Sequence, residues 1–301
     1  MKTWNEYVAL VRARLDTIIP ELEKGSYVEG EMPELLARSM RYSLLAGGKR
    51  LRPSMVLAAV DMLGGDLDYA LDFACAVEMI HSYSLIHDDL PGMDDDCLRR
   101  GKPTNHVVFG VGQAILAGDG LLNGAFEVML TAAAKKPERA ADALRAIGEI
   151  ARGAGVTGMI AGQVMDLYCE NNAVSNEAAL SYIHRDKTAC MFIYPLRAAG
   201  YLAGAAQEKI DALGLYGEMF GRVFQATDDL LDVIGTTENM GKTLGKDAEH
   251  GKLTFPSLYG IEDSRRRIAE MTRKGLTALD GFGAEADIFR SLLSGLSDRT
   301  N

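Results

Sequence analysis

Eight aspartates gathered in two places are the side chains of this sequence best suited to chemistry. Asp88 and Asp89 are followed by Leu-Pro-Gly-Met and then by Asp94, Asp95 and Asp96, while Asp228, Asp229 and Asp232 form the second group. Each group follows a strongly apolar segment, 81–87 in one case and 220–227 in the other. Asp228 and Asp232, four residues apart, share a helix face on which like charges repel. Pro91-Gly92 ends or distorts the helix before it, which leaves Asp88 and Asp89 near a helix C-terminus, where the macrodipole disfavours anions. Neither arrangement favours stability. A bound divalent cation removes both objections, and an all-oxygen ligand set suits a hard ion such as magnesium, which takes one or two carboxylates together with waters and substrate phosphates. One such cluster alone would read as a solvated acidic helix end; two, each set into apolar helix, favour the metal. The spaced loop of a calcium EF-hand, with its central Gly and terminal Glu, is missing.

Basic residues stand close to the first group. Gly47-Gly48-Lys49-Arg50-Leu51-Arg52-Pro53 is a compact basic turn ahead of a helix, and Arg99 and Arg100 follow the aspartates directly. By itself the arginine pair could simply neutralise its neighbours. Together with the turn it reads as diphosphate capture, with metal on one side and guanidinium forks and a lysine ammonium on the other. His81, inside an apolar helix, reads on its own as a hydrogen-bonded core residue.

The elements that must position these groups are helices. The segment 70–87 is apolar on nearly all sides, which predicts a buried central helix. Leu215, Met219, Val223, Ala226, Leu230 and Val233 recur at three and four, predicting a helix over 211–234. Further helices are expected over 33–46, 53–63, 114–134, 137–156 and 176–184, with Pro33 and Pro53 in first-turn positions. Period-two alternation is nearly absent, so the fold class is all-α. With no linker-like tract and no repeat, one domain over 1–301 is the simplest organisation. The Gly- and Lys-punctuated stretch 235–252, with Lys242 and Lys252, is long enough to be a functional loop.

A net charge of -10 argues against nucleic acid as a partner. It also makes the local basic clusters more informative. Cys75, Cys97, Cys169 and Cys190 are scattered, with neither a CxxC pair nor a zinc-like spacing, and are expected as reduced thiols. The N-terminus resembles neither a signal nor a transit peptide. No apolar run is expected to reach the roughly 18–20 residues of a membrane span, so the expectation is a cytoplasmic protein.

Six landmarks in order resemble the short-chain trans-prenyltransferases of the polyprenyl synthetase family, most closely the bacterial-type farnesyl diphosphate synthases. They are Gly-Gly-Lys-Arg-Leu-Arg-Pro at 47–53, Leu-Ile-His-Asp-Asp-Leu-Pro-Gly-Met-Asp-Asp-Asp at 85–96, Arg-Arg-Gly-Lys-Pro-Thr at 99–104, Gly-Gln-Val-Met-Asp-Leu at 162–167, Lys-Thr-Ala at 187–189 and Phe-Gln-Ala-Thr-Asp-Asp-Leu-Leu-Asp at 224–232. The resemblance covers nearly the whole chain. It implies the isoprenoid synthase fold, antiparallel helices around a central active-site cavity, and about three Mg2+ ions. By the same resemblance Asp88 and Asp94 are magnesium ligands with Asp89 adjacent, and Asp228 is the ligand of the second motif, with Asp229 and Asp232 acting alongside it or through water. Lys49, Arg52, His81 and Arg100 would receive isopentenyl diphosphate. Arg99, Lys187 and Lys242 would clamp the allylic diphosphate, Thr188 and Gln225 would steady the allylic cation, and Lys252 would add a phosphate contact. Gln163 and Asp166 read equally as supports of the site or as helix packing.

The implied reaction is head-to-tail condensation. The allylic diphosphate ionises, the double bond of isopentenyl diphosphate attacks the cation, and a proton is lost. Tyr83 lies five residues before Asp88, about 7.5 Å back along a helix. With Ser84 it would form the floor that limits the product to fifteen carbons, which favours farnesyl over geranylgeranyl diphosphate. The longer first motif, with four residues between Asp89 and Asp94, occurs in both kinds of synthase. The C-terminal Ser-Asp-Arg-Thr-Asn lacks the basic tail of some eukaryotic members. A class I terpene cyclase would replace the second aspartate motif and lack the Gly-Gly-Lys-Arg turn. A non-catalytic partner subunit would be expected to lose aspartates. By analogy the chain would act as a homodimer.

Overall fold

Helical periodicity dominates the sequence and helices dominate the structure, a computed structural model that describes residues 1–234 and 252–300. The chain forms two compact units, 1–147 and 148–301. In the first, α1 (Trp4–Ile18), α2 (Glu34–Leu44), α3 (Leu51–Met62) and α4 (Leu67–Asp88) are followed by a two-stranded hairpin, α5 (Asn105–Phe109) and α6 (Val111–Ala134). The expected buried helix is α4, whose residues from Phe73 to Ile80 are all buried. Asp66 caps it by accepting from the Tyr69 N–H at 3.1 Å. Pro33 stands at the N-cap of α2, one step outside the expected first turn, whereas Pro53 is the third residue of α3.

Glycine lets α4 and α6 pack closely. A Cβ at Gly118 would lie 2.1 Å from His87 Nε2, and one at Gly124 would lie 3.3 Å from Met79 Cε. The sequence shows no apolar run expected to span a bilayer, and here α6 is a correction. It is long enough, and its mean hydropathy of 1.2 is high enough, to meet that criterion by composition. Asp119 and Glu127 interrupt it, and Ala114, Ala117, Gly118, Leu121, Ala125, Met129 and Ala132 form a buried stripe at helical spacing.

The helix α7 (Ala140–Ala154) carries the chain into the second unit. There α8 (Met159–Asn172) and α9 (Glu177–Tyr182) are followed by a π-helical turn over Ile183–Ala189, then α10 (Cys190–Ala203) and α11 (Gln207–Ile234). After residue 251 come α12 (Phe255–Tyr259), α13 (Ile261–Thr277) and α14 (Asp287–Ser297). The sequence period predicts α11 well but gives no warning of α1, α8, α10 or the C-terminal helices. In α10, Pro195 sits inside the helix, where its missing N–H argues locally against helix. Tertiary packing overrides that preference. Gly217 and Gly221 bring α11 against the backbone of its neighbours, since a Cβ there would lie 2.9 Å from Ile193 N and 2.4 Å from Ala189 Cα. The three buried cysteines and the exposed Cys97 are all unbridged, as expected.

Candidate active site

In the first unit the polar residues gather where α4 ends. The helix stops at Asp88 and Asp89 is its C-cap. The Leu-Pro-Gly-Met loop then folds back, so that the Asp94 N–H donates to the Asp88 carbonyl at 2.9 Å. That closure brings together the two aspartates expected to ligate magnesium. Asp89 points elsewhere. Arg99 Nε donates to its two oxygens at 2.8 and 3.0 Å, and Arg99 Nη2 lies 2.7 Å from Oδ1. Burial pushes the Asp89 carboxyl above its usual range even with Arg99 beside it. Here Asp89 orients Arg99, and Arg99 is held on the first aspartate motif.

The hairpin positions the arginine pair. Its strands Leu98–Arg99 (β1) and Lys102–Pro103 (β2) are joined by Arg100 and Gly101, both at positive φ, 54° and 75°, as a two-residue turn between right-twisted strands requires. Tyr42 Oη donates to the Pro103 carbonyl at 2.7 Å and Thr104 Oγ1 to the Asp96 carbonyl at 2.8 Å. Arg100 thereby reaches the Gly-Gly turn, donating through Nη1 to the Gly47 carbonyl at 2.5 Å. A Cβ on Gly48 would come within 2.7 Å of the same guanidinium. Arg52 Nη1 stands 3.5 Å from His81 Nε2. Burial, and then the charges of Arg52, Arg100 and Arg99, hold the His81 imidazole well below its usual pKa, so it is neutral at pH 7. Arg50 plays a different part. It sits at φ 49° ahead of α3, donates to the Leu44 carbonyl at 2.7 Å and pairs with Glu78 on α4 at 2.6 Å. Both side chains of that pair are 3% exposed, so Arg50 anchors the turn and leaves Lys49 outside, exposed. Tyr83 is buried one turn before His87, ring edge against ring face at 5.6 Å. Ser84 Oγ donates to the His81 carbonyl at 3.0 Å.

In the second unit the π-helical turn Ile183–Ala189 carries Lys187 and Thr188; single π-turns of this kind are frequent at functional sites. The α8 backbone lies directly against it at Gly162, where a Cβ would stand 2.0 Å from Lys187 N. Lys187 Nζ donates to Asp166 at 2.5 Å, so Asp166 is the ion-pair partner of the lysine expected at the site. Thr188 Oγ1 donates to Gln225 Oε1 at 2.9 Å, and Gln225 Nε2 donates to Asp229 Oδ1 at 2.8 Å. The other oxygen of Asp229 takes the Phe255 N–H at 2.9 Å and lies 3.2 Å from His184 Nε2. Asp229 is therefore a hub, while Asp228 is half-buried one position earlier on α11 and Asp232 is buried on the next turn. Lys252 Nζ stands 3.8 Å from Glu170. Lys242 lies outside the described residues.

Sequence reasoning missed His184 and Phe255. His184 carried the signal that singled out His81, a histidine within an apolar helical segment, here three residues before Lys187. Phe255 offered none, because its backbone N–H makes the contact. Among the described residues no group of three or more His, Cys, Asp or Glu forms a ready cage for a metal. The donor chemistry nevertheless fits magnesium in each unit: Asp88 and Asp94 at a chain closure in the first, and Asp228 on α11 in the second, are hard oxygen donors of the kind that hold Mg2+ by one or two carboxylates, with water and phosphate completing the shell.

The polyprenyl synthetase family model matches residues 33–281. The farnesyl diphosphate synthase of Bacillus subtilis is 42% identical over 289 residues, 96% of either chain. A chloroplastic geranylgeranyl pyrophosphate synthase of Capsicum annuum is 44% identical over 251 residues, 83% of this chain and 67% of that one. The solved structure of a Helicobacter pylori geranyltransferase, complexed with magnesium and isoprenyl diphosphate, superposes with a TM-score of 0.80 over 98% of this chain and 95% of that one at 29% identity.

Proposed function

This chain belongs to the polyprenyl synthetase family and is a prenyltransferase, and from that premise we propose that it condenses isopentenyl diphosphate with dimethylallyl and then geranyl diphosphate to give farnesyl diphosphate. The observation that carries the reading is that Arg100 reaches the Gly47-Gly48 turn while Arg52 stands beside neutral His81, in the same unit as Asp88, Asp94 and Arg99. Two guanidinium groups beside an exposed Lys49 offer charge and forked donors to one diphosphate. A neutral imidazole beside Arg52 adds a hydrogen-bonding group without repelling the arginines. Arg99 stands on the metal-binding side, and with Lys187 it would hold the allylic diphosphate.

Magnesium, when bound, supplies the positive charge that stabilises the departing diphosphate, and the magnesium complex of the Helicobacter pylori protein supports its use; in the first unit Asp88 and Asp94 would hold it, and in the second Asp228, with Asp229 and Asp232 alongside. The rest falls to the chain's own residues. Lys187, held by Asp166, would contact the leaving group. The hydroxyl proton of Thr188 is committed to Gln225, so the oxygen can turn its lone pairs to a developing allylic cation. Lys242 and Lys252 would complete the phosphate contacts. Buried Tyr83, with Ser84, sets the depth available to the growing chain and so supports a fifteen-carbon product. The Capsicum annuum relative favours the alternative, geranylgeranyl diphosphate.

We take 1–301 as one functional domain and the active form as a homodimer in the cytoplasm. Exposed Val107, Val108, Val111, Ile115 and Leu116 along α5 and α6 support a face covered by a second copy. The deciding experiment is incubation with isopentenyl diphosphate, Mg2+ and each allylic diphosphate in turn, followed by chain-length analysis. The expected product is C15, with activity abolished by EDTA and restored by Mg2+. No condensation with any starter would overturn the reading.

A further inference from the structure

We propose that His184 is a positioning residue for the allylic half-site, setting the direction of a hydrogen-bond chain that ends on the Thr188 hydroxyl. The inference rests on the proposed role of Thr188 and Gln225 in the reaction. Asp229, as a carboxylate, can only accept. The end of the Gln225 side chain that faces it must therefore be the NH2 group, which turns Gln225 Oε1 toward Thr188 and obliges the Thr188 O–H to donate. If Asp229 rotated, Gln225 could flip its amide, and Thr188 would present a proton where the reaction needs lone pairs. Two groups stop that rotation, both on Asp229 Oδ2: the Phe255 N–H at 2.9 Å and His184 Nε2 at 3.2 Å. His184 is 3% exposed and stacks on the Phe255 ring with centroids 5.4 Å apart and planes at 18°. The π-helical turn presents His184 and Thr188 from one segment, four residues apart. The first and last members of the chain are thus set by the same local backbone.

His184→Phe keeps a ring against Phe255 and deletes the donor, whereas His184→Gln keeps a donor and deletes the ring. We expect His184→Phe to lower kcat by about 10–100-fold, as losses behind a reacting shell do, with the KM for isopentenyl diphosphate within about twofold. His184→Gln should recover kcat to within about threefold of the unsubstituted chain. The opposite ranking, with Phe active and Gln impaired, would make His184 a packing residue and overturn the proposal. Should His184→Phe fail to fold, His184→Gln still decides, since a folded Gln variant losing tenfold or more has the same meaning. Thr188→Val, measured alongside, separates the two levels. Unchanged turnover in that variant removes the premise, whereas an impaired Thr188→Val beside an active His184→Phe removes only the inference. Combining the two substitutions should cost little more than the larger single loss, because they break one chain; multiplicative losses count against a shared path.

Discussion

Tyr83 and His81 lie two positions apart on α4 and make opposite demands on it. Tyr83 is buried against the His87 ring, and His87 Nε2 lies 3.1 Å from the Ile115 carbonyl. Its volume is held in place rather than free to swing aside. Tyr83→Ala should therefore shift products beyond C15 when isopentenyl diphosphate is in excess, which chromatography of the dephosphorylated alcohols would show; an unaltered distribution would remove Tyr83 from the floor. His81 has a pKa well below its usual value in the folded chain, while an unfolded histidine titrates near about 6.5. Above that value both states are neutral. As pH falls through it the unfolded chain takes the proton first, so folding stability declines toward the folded value. The urea midpoint should drop between about pH 7.5 and 5.5, and drop less in His81→Gln. Equal drops would mean that His81 titrates normally.

At the scale of elements, the site depends on backbones that touch. Gly162 on α8 leaves no room for a methyl group over the π-helical turn, and the clashing partners are main-chain atoms that cannot rotate away. Gly162→Ala should cost about 1–3 kcal/mol, as overpacking does, and should lower turnover by displacing Lys187 and Thr188. Thermal unfolding and steady-state kinetics would check both; unchanged values would show that the two backbones separate freely. This is also where the sequence was hardest to read. The all-round apolar α4 and the middle of the α11 stripe were plain because burial dictates residue type, although Leu215 and Val233 at its ends are exposed. The polar landmarks were plain because carboxylates beside apolar helix are unfavourable without a ligand. The π-turn, the helix through Pro195 and the Asp229 hub were not visible. Each is fixed by tertiary contact or by backbone N–H groups, which leave no mark on side-chain pattern. By residue type alone Arg50 and Arg52 look equivalent in the basic turn; the family resemblance singles out Arg52, and the buried pair with Glu78 on α4 gives the physical reason that Arg50 is an anchor.

For the whole molecule, the exposed apolar side chains of α5 and α6 are where the proposed homodimer is tested. Ile115 is 41% exposed and Leu116 55%, on a helix that is apolar for most of its length. If a second copy covers this face, Ile115→Lys should convert a dimer to a monomer at micromolar concentration in sedimentation velocity. An unsubstituted chain that sediments as a monomer would refute the homodimer.

The hairpin turn at Arg100 carries a consequence for how this position tolerates change. Its φ of 54° belongs to a region that suits Gly, Asn and Asp and strains most other side chains. Substitution there removes a cation and also relieves or worsens a torsional cost, with separable results. Lysine would preserve the charge and inherit the strain; asparagine would relax the bend and forfeit the anion partner. If Arg100 binds diphosphate as proposed, a mutational scan scored by folding alone would rank asparagine above lysine, and one scored by substrate capture would reverse the order. Position 100 is thus a place where selection for a sturdier protein and selection for a faster one would pull the sequence in different directions.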